Sequence, residues 1–347
     1  MTTTAPTGEA VESELRRVSQ TVRRAMLGAV PDGEPHRWLY QLVRAYPSRP
    51  GKAIRPTLCI QSCRAYGGSD ADAFPVAVAI EMLHNAFLVH DDIADGSELR
   101  RGRPTLPADH GQALSLNAGD ALVVLANQVL RRHARTLDDE IADQVLDEFD
   151  NMALRTLEGQ ATELGWRRER VVDLTPEDYL DLVLHKTCWY TTIHPLRVGA
   201  LLGSAEPSDM EAMVSFGFYL GAAFQIRDDL LNLIGAEGIY GKEINGDLYE
   251  AKRSLALIHV CGQVRGDDRD FIAHYLSVDR SERTAQMIDE VRRLIDECGS
   301  IDFAADFARG IAGAALQAHE AAYGDAPDQR SAGFLKAFVP YMLGRSA

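Results

Sequence analysis

Two clusters of acidic residues, each after an apolar stretch and before a glycine, carry the clearest chemical signal in this sequence. The first, DDIAD, occupies residues 91–95, and the second, DDLLN, occupies residues 228–232. Side chains four residues apart share a helix face, so Asp91 and Asp95 would point the same way. Their mutual repulsion, and their opposition to the helix dipole at a C-terminus, would be relieved by a divalent cation. The pair of clusters therefore predicts two walls of a Mg²⁺ site with a diphosphate between them.

Basic side chains near these clusters fit the same prediction. Guanidinium groups bind phosphate oxygens in pairs, and ammonium groups bind them as point charges. His84 lies two helical turns before Asp91 and could donate a hydrogen bond to a diphosphate, although the spacing alone slightly favours an ordinary core histidine. Surface salt bridges are the alternative for each basic residue taken singly, and an exposed acidic helix end is the alternative for one cluster alone. The candidate cations are Lys52 and Arg55, predicted on one face of a helix that begins there, then Arg100, Arg101, Lys186, Lys242 and Lys252.

Helical periodicity dominates the rest of the chain, and no convincing run of alternating strand residues is found. Pro75 is expected in the first turn of the helix that carries the first cluster, and Gly96 is expected to cap its end. Thr175 and Pro176 form a helix start. We predict one all-α domain over residues 9–347 after a disordered tail at residues 1–8. The predicted helices span residues 74–95, 113–137, 140–164, 208–233, 283–298, 303–322 and 332–343.

Composition excludes several classes of function. The 347 residues carry a formal charge of −15, which disfavours binding to nucleic acid and to anionic lipid. No stretch approaches the roughly 20 apolar residues of a membrane span, so we expect no integral membrane segment. The five cysteines lack a paired spacing, and this favours free thiols in a reducing cytoplasm.

Five ordered motifs resemble those of the trans-isoprenyl diphosphate (polyprenyl) synthases. They lie at residues 51–56, 81–105, 186–187, 224–229 and 241–253. The resemblance implies an all-α isoprenoid synthase fold, usually homodimeric, in which Mg²⁺ assists the ionisation of an allylic diphosphate and isopentenyl diphosphate attacks the cation. The resemblance implies that Mg²⁺ is bound by Asp91, Asp95 and Asp228, with Asp92 and Asp229 nearby. It implies that the allylic diphosphate is bound by Arg100, Lys186, Gln225 and Lys242, and isopentenyl diphosphate by Lys52, Arg55, His84 and Arg101. It further implies that Lys252 closes over the phosphates and that Thr187 and Gln225 stabilise the allylic cation.

The chain departs from the common pattern at a few positions. Asn232 ends the second cluster where many members have Asp, a form that resembles some geranylgeranyl diphosphate synthases and keeps an oxygen ligand. Pro107 replaces a common His, and Ala251 and Ser254 replace a frequent Gly and Thr. None of these changes removes a predicted metal ligand, so an active enzyme is expected.

Product length should depend on the helix that carries Asp91. Phe87 lies one turn before that residue, roughly 6 Å away, and Ala86 is its small neighbour. A large ring at residue 87 would limit chain growth while Ala86 leaves part of the channel open, although Phe87 could equally be core packing. We expect a C20 product, geranylgeranyl diphosphate, with C15 farnesyl diphosphate as the alternative. Two rival readings are a class I terpene cyclase, whose usual second motif is not found at Asp228, and a non-catalytic partner subunit.

Overall fold

The computed structural model describes residues 8–204, 210–234 and 245–344, and these are almost entirely helical. The predicted all-α class is confirmed. The helices are α1 (Gly8–Ala29), α2 (Gln41–Ala45), α3 (Ile54–Ala65), α4 (Asp70–Asp95), α5 (Leu106–His110), α6 (Gln112–Ala134), α7 (Asp139–Arg168), α8 (Pro176–Val183), α9 (His194–Gly203), α10 (Met210–Ile234), α11 (Gly246–Tyr249), α12 (Leu255–Gln263), α13 (Gly266–Ser277), α14 (Ala285–Glu297), α15 (Ser300–Tyr323) and α16 (Gln329–Gly344). Shorter elements are π-helical segments at His36–Tyr40 and Leu184–Ile193, a 3₁₀ turn at Arg280–Glu282, and a small hairpin of β1 (Leu99–Arg100) and β2 (Arg103–Pro104).

The two helices that carry the acidic clusters, α4 and α10, belong to the centre of the bundle. Helix α4 packs against α3 and α6, while α10 packs against α15 and the π-helical segment Leu184–Ile193. The same π-helical segment packs against α7. Both acidic helices are therefore held by neighbouring helices, and the acidic clusters lie at their C-terminal ends.

Helix α4 begins four residues earlier than predicted. Ser69 caps it in a reciprocal capping box, and its backbone N–H donates to the carboxylate of Asp72 at 2.8 Å. The prediction that Pro75 lies in the first turn was therefore wrong, because the ring sits further inside the helix. Gly96 ends the helix with φ 62°, as the left-handed C-cap predicts.

Several other boundaries can be compared with the sequence predictions. Thr175 accepts a hydrogen bond from the backbone of Asp178 and caps α8, so that predicted start is confirmed. Helix α3 begins only at Ile54, because Ala53 adopts a left-handed φ of 50°. Lys52 therefore precedes the helix, and its predicted place on one helical face with Arg55 was wrong. Gly8, predicted in the tail, begins α1.

A π-helical segment of ten residues, Leu184–Ile193, crosses α7 at close range. A Cβ atom added to Gly159 of α7 would lie 2.2 Å from the backbone nitrogen of Lys186. Only glycine permits this backbone approach. Each i to i+5 bond widens the helix, and such insertions are common at functional sites.

Two helices, α4 and α6, are long and apolar enough to cross a membrane by length and composition alone. The prediction that no stretch comes near a membrane span was too strict for these two. The most apolar window of α4 is 78% buried inside the protein, whereas that of α6 is 39% buried. Core helices pass the same test, so the finding is weak evidence for a membrane span.

Candidate active site

The first acidic cluster ends α4, with Asp91 and Asp95 one turn apart. Burial and the like charge of Asp95 raise the pKa of Asp91, against the lowering effect of Lys186. Asp95 accepts a hydrogen bond from Nη1 of Arg167 at 2.7 Å. Both carboxylates are partly accessible, so they present oxygen ligands at the end of the helix.

Asp92, the middle acid, is fully buried. It accepts hydrogen bonds from the Tyr46 hydroxyl and from Arg100, whose Nε lies 2.7 Å from Oδ1 and whose Nη2 lies 2.5 Å from the same oxygen. The oxygens of Asp92 are thus occupied, and they fix the guanidinium of Arg100. Sequence spacing does not reveal Tyr46, because it lies on a separate part of the chain.

The second cluster is organised around Asp229 on α10. This buried carboxylate accepts hydrogen bonds from the Tyr179 hydroxyl at 2.9 Å, Nε2 of Gln225 at 2.7 Å and Nζ of Lys252 at 3.0 Å. Thr187 in turn donates to the amide oxygen of Gln225 at 3.1 Å. The structure therefore brings together four of the predicted site residues, Thr187, Gln225, Asp229 and Lys252. Asp228 lies half-buried in the same turn.

Asn232 does not act as an exposed ligand at the end of this cluster. Its side chain is 1% exposed, and its Oδ1 accepts the backbone N–H of Asp247 at 3.1 Å. Its own carbonyl accepts the backbone N–H of Asn245. The sequence leaves open whether Asn232 contributes to metal binding, and in the structure its Oδ1 holds the start of α11.

Glu163 on α7 connects the two clusters and was not among the predicted site residues. It pairs with Lys186 and is 5% exposed. Burial opposes its ionisation, but Lys186, Lys252 and Arg167 outweigh that effect and hold its pKa at about 2. The charge of Lys186 also acts on Asp91 and Asp95, and that of Lys252 acts on Asp229. Glu163 continues the buried stripe of α7 that includes Thr156 and Gly159, and an acid on a buried face was the available signal.

Arg55 and Arg101, two of the predicted cations, lie in a second pocket beside the first cluster. Arg55 is 9% exposed, donates to Thr191 at 2.8 Å and lies 4.2 Å over the ring of Tyr190. Arg101 and Gly102 form the turn of the hairpin with φ values of 54° and 71°, the pattern of a type I′ turn. A Cβ atom added to Gly51 would lie 3.2 Å from this guanidinium, so Arg101 packs directly on the glycine.

His84 and Glu81 are buried side chains on which the charges of Arg55 and Arg101 act. Burial and the charges of Arg55 and Arg101 hold the pKa of His84 well below its ordinary value, so its ring is neutral. Its Nδ1 has no hydrogen-bond partner among the described residues. Burial raises the pKa of Glu81, against the same two guanidiniums. Lys52 lies exposed at the edge, and Lys242 lies outside the described residues.

The donor set fits magnesium. Within the described ranges, no three His, Cys, Asp or Glu side chains converge on one point as a complete metal cage. Mg²⁺ commonly takes one or two carboxylates and completes its shell with water and substrate phosphates. The partly buried, mutually repelling Asp91 and Asp95 are oxygen donors of this kind, and a divalent cation would relieve their repulsion.

The predicted chain-length residues lie on the buried side of α4. Ala86 is fully buried in the cluster of core residues around α4, α6 and α7. Phe87 meets the ring of Tyr190 edge to face, with centroids 5.8 Å apart. Tyr190 is also 5.8 Å from the ring of His84. The ring of Tyr190 therefore contacts both His84, near Arg55, and Phe87.

Comparison with known proteins agrees with this fold and site. The sequence profile of the polyprenyl synthetase family matches residues 36–295, well over half of the chain. The chain is 30% identical to the geranylgeranyl diphosphate synthase of Methanosarcina mazei over 297 residues, 85% of this chain and 87% of the relative. It is 36% identical to the (2E,6E)-farnesyl diphosphate synthase of Mycobacterium tuberculosis over 218 residues, 63% of this chain and 59% of that enzyme. A crystal structure of geranylgeranyl pyrophosphate synthetase from Pyrococcus horikoshii superposes with a TM-score of 0.84 at 29% identity, covering 96% of this chain and 99% of the other.

These similarities, together with the helical bundle, define a prenyltransferase. The chain belongs to the polyprenyl synthetase family, the trans-isoprenyl diphosphate synthases.

Proposed function

We propose that the protein joins isopentenyl diphosphate head-to-tail to an allylic diphosphate in a Mg²⁺-dependent reaction. One observation carries the proposal: two acidic clusters on separate helices are coupled through Lys186, Lys252 and Glu163. Such an arrangement supplies cations and metal-binding carboxylates to one diphosphate. The pocket of Arg55 and Arg101 supplies a second place for a diphosphate group.

In each cluster, some acids are proposed to bind metal and another acid to position a protein cation. Asp91, Asp95 and Asp228 are the residues that would hold Mg²⁺, which when bound stabilises the negative charge of the leaving diphosphate. Asp92 and Asp229 are proposed as positioning residues, because their oxygens hold Arg100 and Lys252.

The protein cations complete the binding of both substrates. Ionised donors form short, strong hydrogen bonds to phosphate oxygens. For the allylic diphosphate we propose Arg100, Lys186, Gln225, Lys242 and Lys252, and for isopentenyl diphosphate Lys52, Arg55, His84 and Arg101.

The reaction follows from these placements. The allylic C–O bond breaks, and the bonding electrons leave with the diphosphate. The double bond of isopentenyl diphosphate attacks the allylic carbon, and a proton is lost from the new cation to the released diphosphate. The hydroxyl of Thr187 and the amide oxygen of Gln225 stabilise the positive charge, while the apolar interior excludes water.

Labelled isopentenyl diphosphate tests this proposal directly. We expect the label to enter a longer prenyl diphosphate when an allylic primer and Mg²⁺ are present. Asp91→Asn should lower turnover by at least about 100-fold, the scale of losing one stabilising group. Glu158→Gln, an exposed change on α7, is the control. A product made from the allylic substrate alone, without label, would identify a terpene cyclase and overturn the proposal.

For product length we propose C20, geranylgeranyl diphosphate. Ala86 is a small, fully buried side chain next to Phe87, and the Methanosarcina mazei relative carries that name. A C15 product is the alternative, supported by the aromatic pair of Phe87 and Tyr190 and by the farnesyl diphosphate synthase from Mycobacterium tuberculosis. Chromatography of the products from dimethylallyl, geranyl and farnesyl primers distinguishes them. A C20 enzyme extends the farnesyl primer, whereas a C15 enzyme does not.

We also propose a homodimer formed through α6 and α7. Four large apolar side chains on these helices are more than half exposed: Leu116, Val124, Leu154 and Leu157. Burying them against a second copy would remove an apolar surface from water. Sedimentation of the wild type should give a dimer, and Val124→Lys should shift it to monomer. Leu316→Lys on α15 is the control. A monomeric wild type would contradict the proposal.

A further inference from the structure

An arginine-rich pocket lies outside the two diphosphate positions described above. It is formed where the ends of α4 and α7 meet the chain around α11 and the segment that follows α13, and its volume is about 350 Å³. Asp95, the last acid of the first cluster, is among its lining residues. We call it the rim pocket.

Cations outnumber anions in the rim pocket. Six arginines line it: Arg167, Arg168, Arg170, Arg253, Arg280 and Arg283. Only three carboxylates do so, and two of these are already engaged, Asp95 by Arg167 at 2.7 Å and Glu250 by Arg280 at 3.1 Å. Asp279 is the third. In a chain whose net charge is −15, this local excess of positive charge is unusual.

Two of the guanidiniums are held in place by backbone carbonyls rather than by acids. Arg253 is 4% exposed and donates to the carbonyls of Ala251 at 2.7 Å and Val171 at 3.2 Å. Arg283 donates to the carbonyl of Tyr249 at 2.5 Å. Across the described residues, neither forms an ion pair with a carboxylate. Both guanidiniums are therefore fixed by carbonyls. The charge of Asp279 acts on Arg283, but the pKa of Arg283 still lies below its ordinary value.

Electrostatics within the rim pocket supports this description. Burial lowers the pKa of Arg253, and the nearby charges of Arg283 and Arg167 lower it further. Burial likewise lowers the pKa of Arg283, with Arg280 and Arg167 adding to the effect. Guanidinium groups keep their charge in proteins. The mutual repulsion would be relieved by an anion that carries several negative charges.

We propose that the rim pocket is a second anion site that binds a diphosphate group. Arginine presents a planar pair of donors that matches phosphate oxygens, and the pocket is large enough for a diphosphate. Because the lining is mainly charged, we do not expect a prenyl chain to contribute to binding in this pocket. The release of diphosphate as a leaving group in this enzyme rests on the proposed function. The existence of the site rests only on the arginine charges that line the pocket.

The test is equilibrium binding of labelled inorganic diphosphate to the full chain in EDTA. Arg168 and Arg170 are exposed and line the pocket, so Arg168→Gln/Arg170→Gln removes two positive charges without touching the core. Wild-type protein is expected to bind one more diphosphate per chain than this variant, or to bind it at least tenfold more tightly at one site. Equal binding curves for the two proteins would overturn the proposal, as would no binding by the wild type.

A charge-matched control separates a local site from a general effect of net charge. Arg131 and Arg132 are exposed in the last turn of α6, and Arg131→Gln/Arg132→Gln makes the same change in charge. This control should bind as the wild type does, and an equal loss would refute a specific site. Melting temperatures show whether each variant is folded. If the double variant is not folded, the single variants Arg168→Gln and Arg170→Gln replace it, and each is expected to weaken binding in part.

Repeating the titration with isopentenyl diphosphate distinguishes the source of the diphosphate. A one-site difference with both ligands supports a site for the head group of diphosphate esters. A difference confined to inorganic diphosphate supports a site for the released anion. Binding is measured without turnover. An inactive enzyme would therefore contradict the proposed function without affecting the measured difference in diphosphate binding.

Discussion

The buried pair of Glu163 and Lys186 gives the sharpest test of how the site is held together. Glu163→Gln keeps the size of the side chain and removes its charge, which leaves Lys186 without its principal counter-charge. Breaking a buried ion pair in this way typically costs about 3–5 kcal/mol of unfolding free energy. Because the Lys186 side chain is 19% exposed, we expect the low end, about 3 kcal/mol.

A double-mutant cycle measures the pair itself. Urea unfolding at pH 7, without metal and at one protein concentration, is compared for the wild type, Glu163→Gln, Lys186→Met and the double variant. The two single losses should overlap, with a coupling of at least about 2 kcal/mol, because each single variant leaves one uncompensated charge. Stability is the measured quantity, so the result does not depend on the role of Lys186 in catalysis.

An exposed ion pair on α1 is the control. Arg16 and Glu12 lie 3.1 Å apart, with side chains 64% and 54% exposed. The equivalent cycle on this pair should give a coupling below about 0.5 kcal/mol, as exposed pairs do. Additive losses for Glu163 and Lys186, or equal couplings in the two cycles, would refute the idea that burial makes this pair strong.

Three further predictions follow from individual side chains. Phe87→Ala should lengthen the main product by at least one five-carbon unit, measured by chromatography, because it removes the ring that meets Tyr190. Gly51→Ala should raise KM for isopentenyl diphosphate about threefold to tenfold with kcat changed less than twofold, because the new methyl group displaces the Arg101 guanidinium. Burial lowers the pKa of His194 to about 4, so its stabilising effect is present above pH 6.5 and is lost as pH falls toward 4. His194→Leu should therefore reduce the loss of unfolding free energy between pH 7.5 and pH 5 by about 2 kcal/mol.

Each of these predictions has a control and a contrary outcome. Phe303→Ala, in another core cluster, should leave the product unchanged, and an unchanged product from Phe87→Ala would remove that ring from the channel. Gly310→Ala meets no atom within 4 Å and should leave KM unchanged. An equal rise in KM there would argue against the packing of Arg101. Identical pH dependence in the wild type and His194→Leu would contradict the assigned pKa.

Local signals in the sequence were sufficient for the helical class and for some of the helix ends. Thr175 and Gly96 were predicted correctly because capping depends on a few neighbouring residues. The start of α4 was missed because Pro75 was placed in the first helical turn, although the capping box at Ser69 begins the helix earlier.

The site depended on contacts that spacing cannot show. Asp91 and Asp92 are identical neighbours, yet one reaches the cleft and the other is enclosed by Tyr46 and Arg100. Only the packing of α4 against distant segments decides which is which. The surroundings of Asn232 could not be predicted for the same reason, since its partner is the backbone N–H of Asp247, 15 residues further along the chain.

The close crossing of Gly159 and Lys186 has a consequence for attempts to redesign the enzyme. Since the two backbones already touch, this part of the cavity wall cannot be moved by substitution at Gly159 without breaking the crossing. A library aimed at new product lengths should keep that glycine fixed and vary side-chain volume at Ala86, Phe87 and Tyr190. Side chains that line the cavity there can be exchanged, but the positions of the two backbones are fixed because no space remains between them.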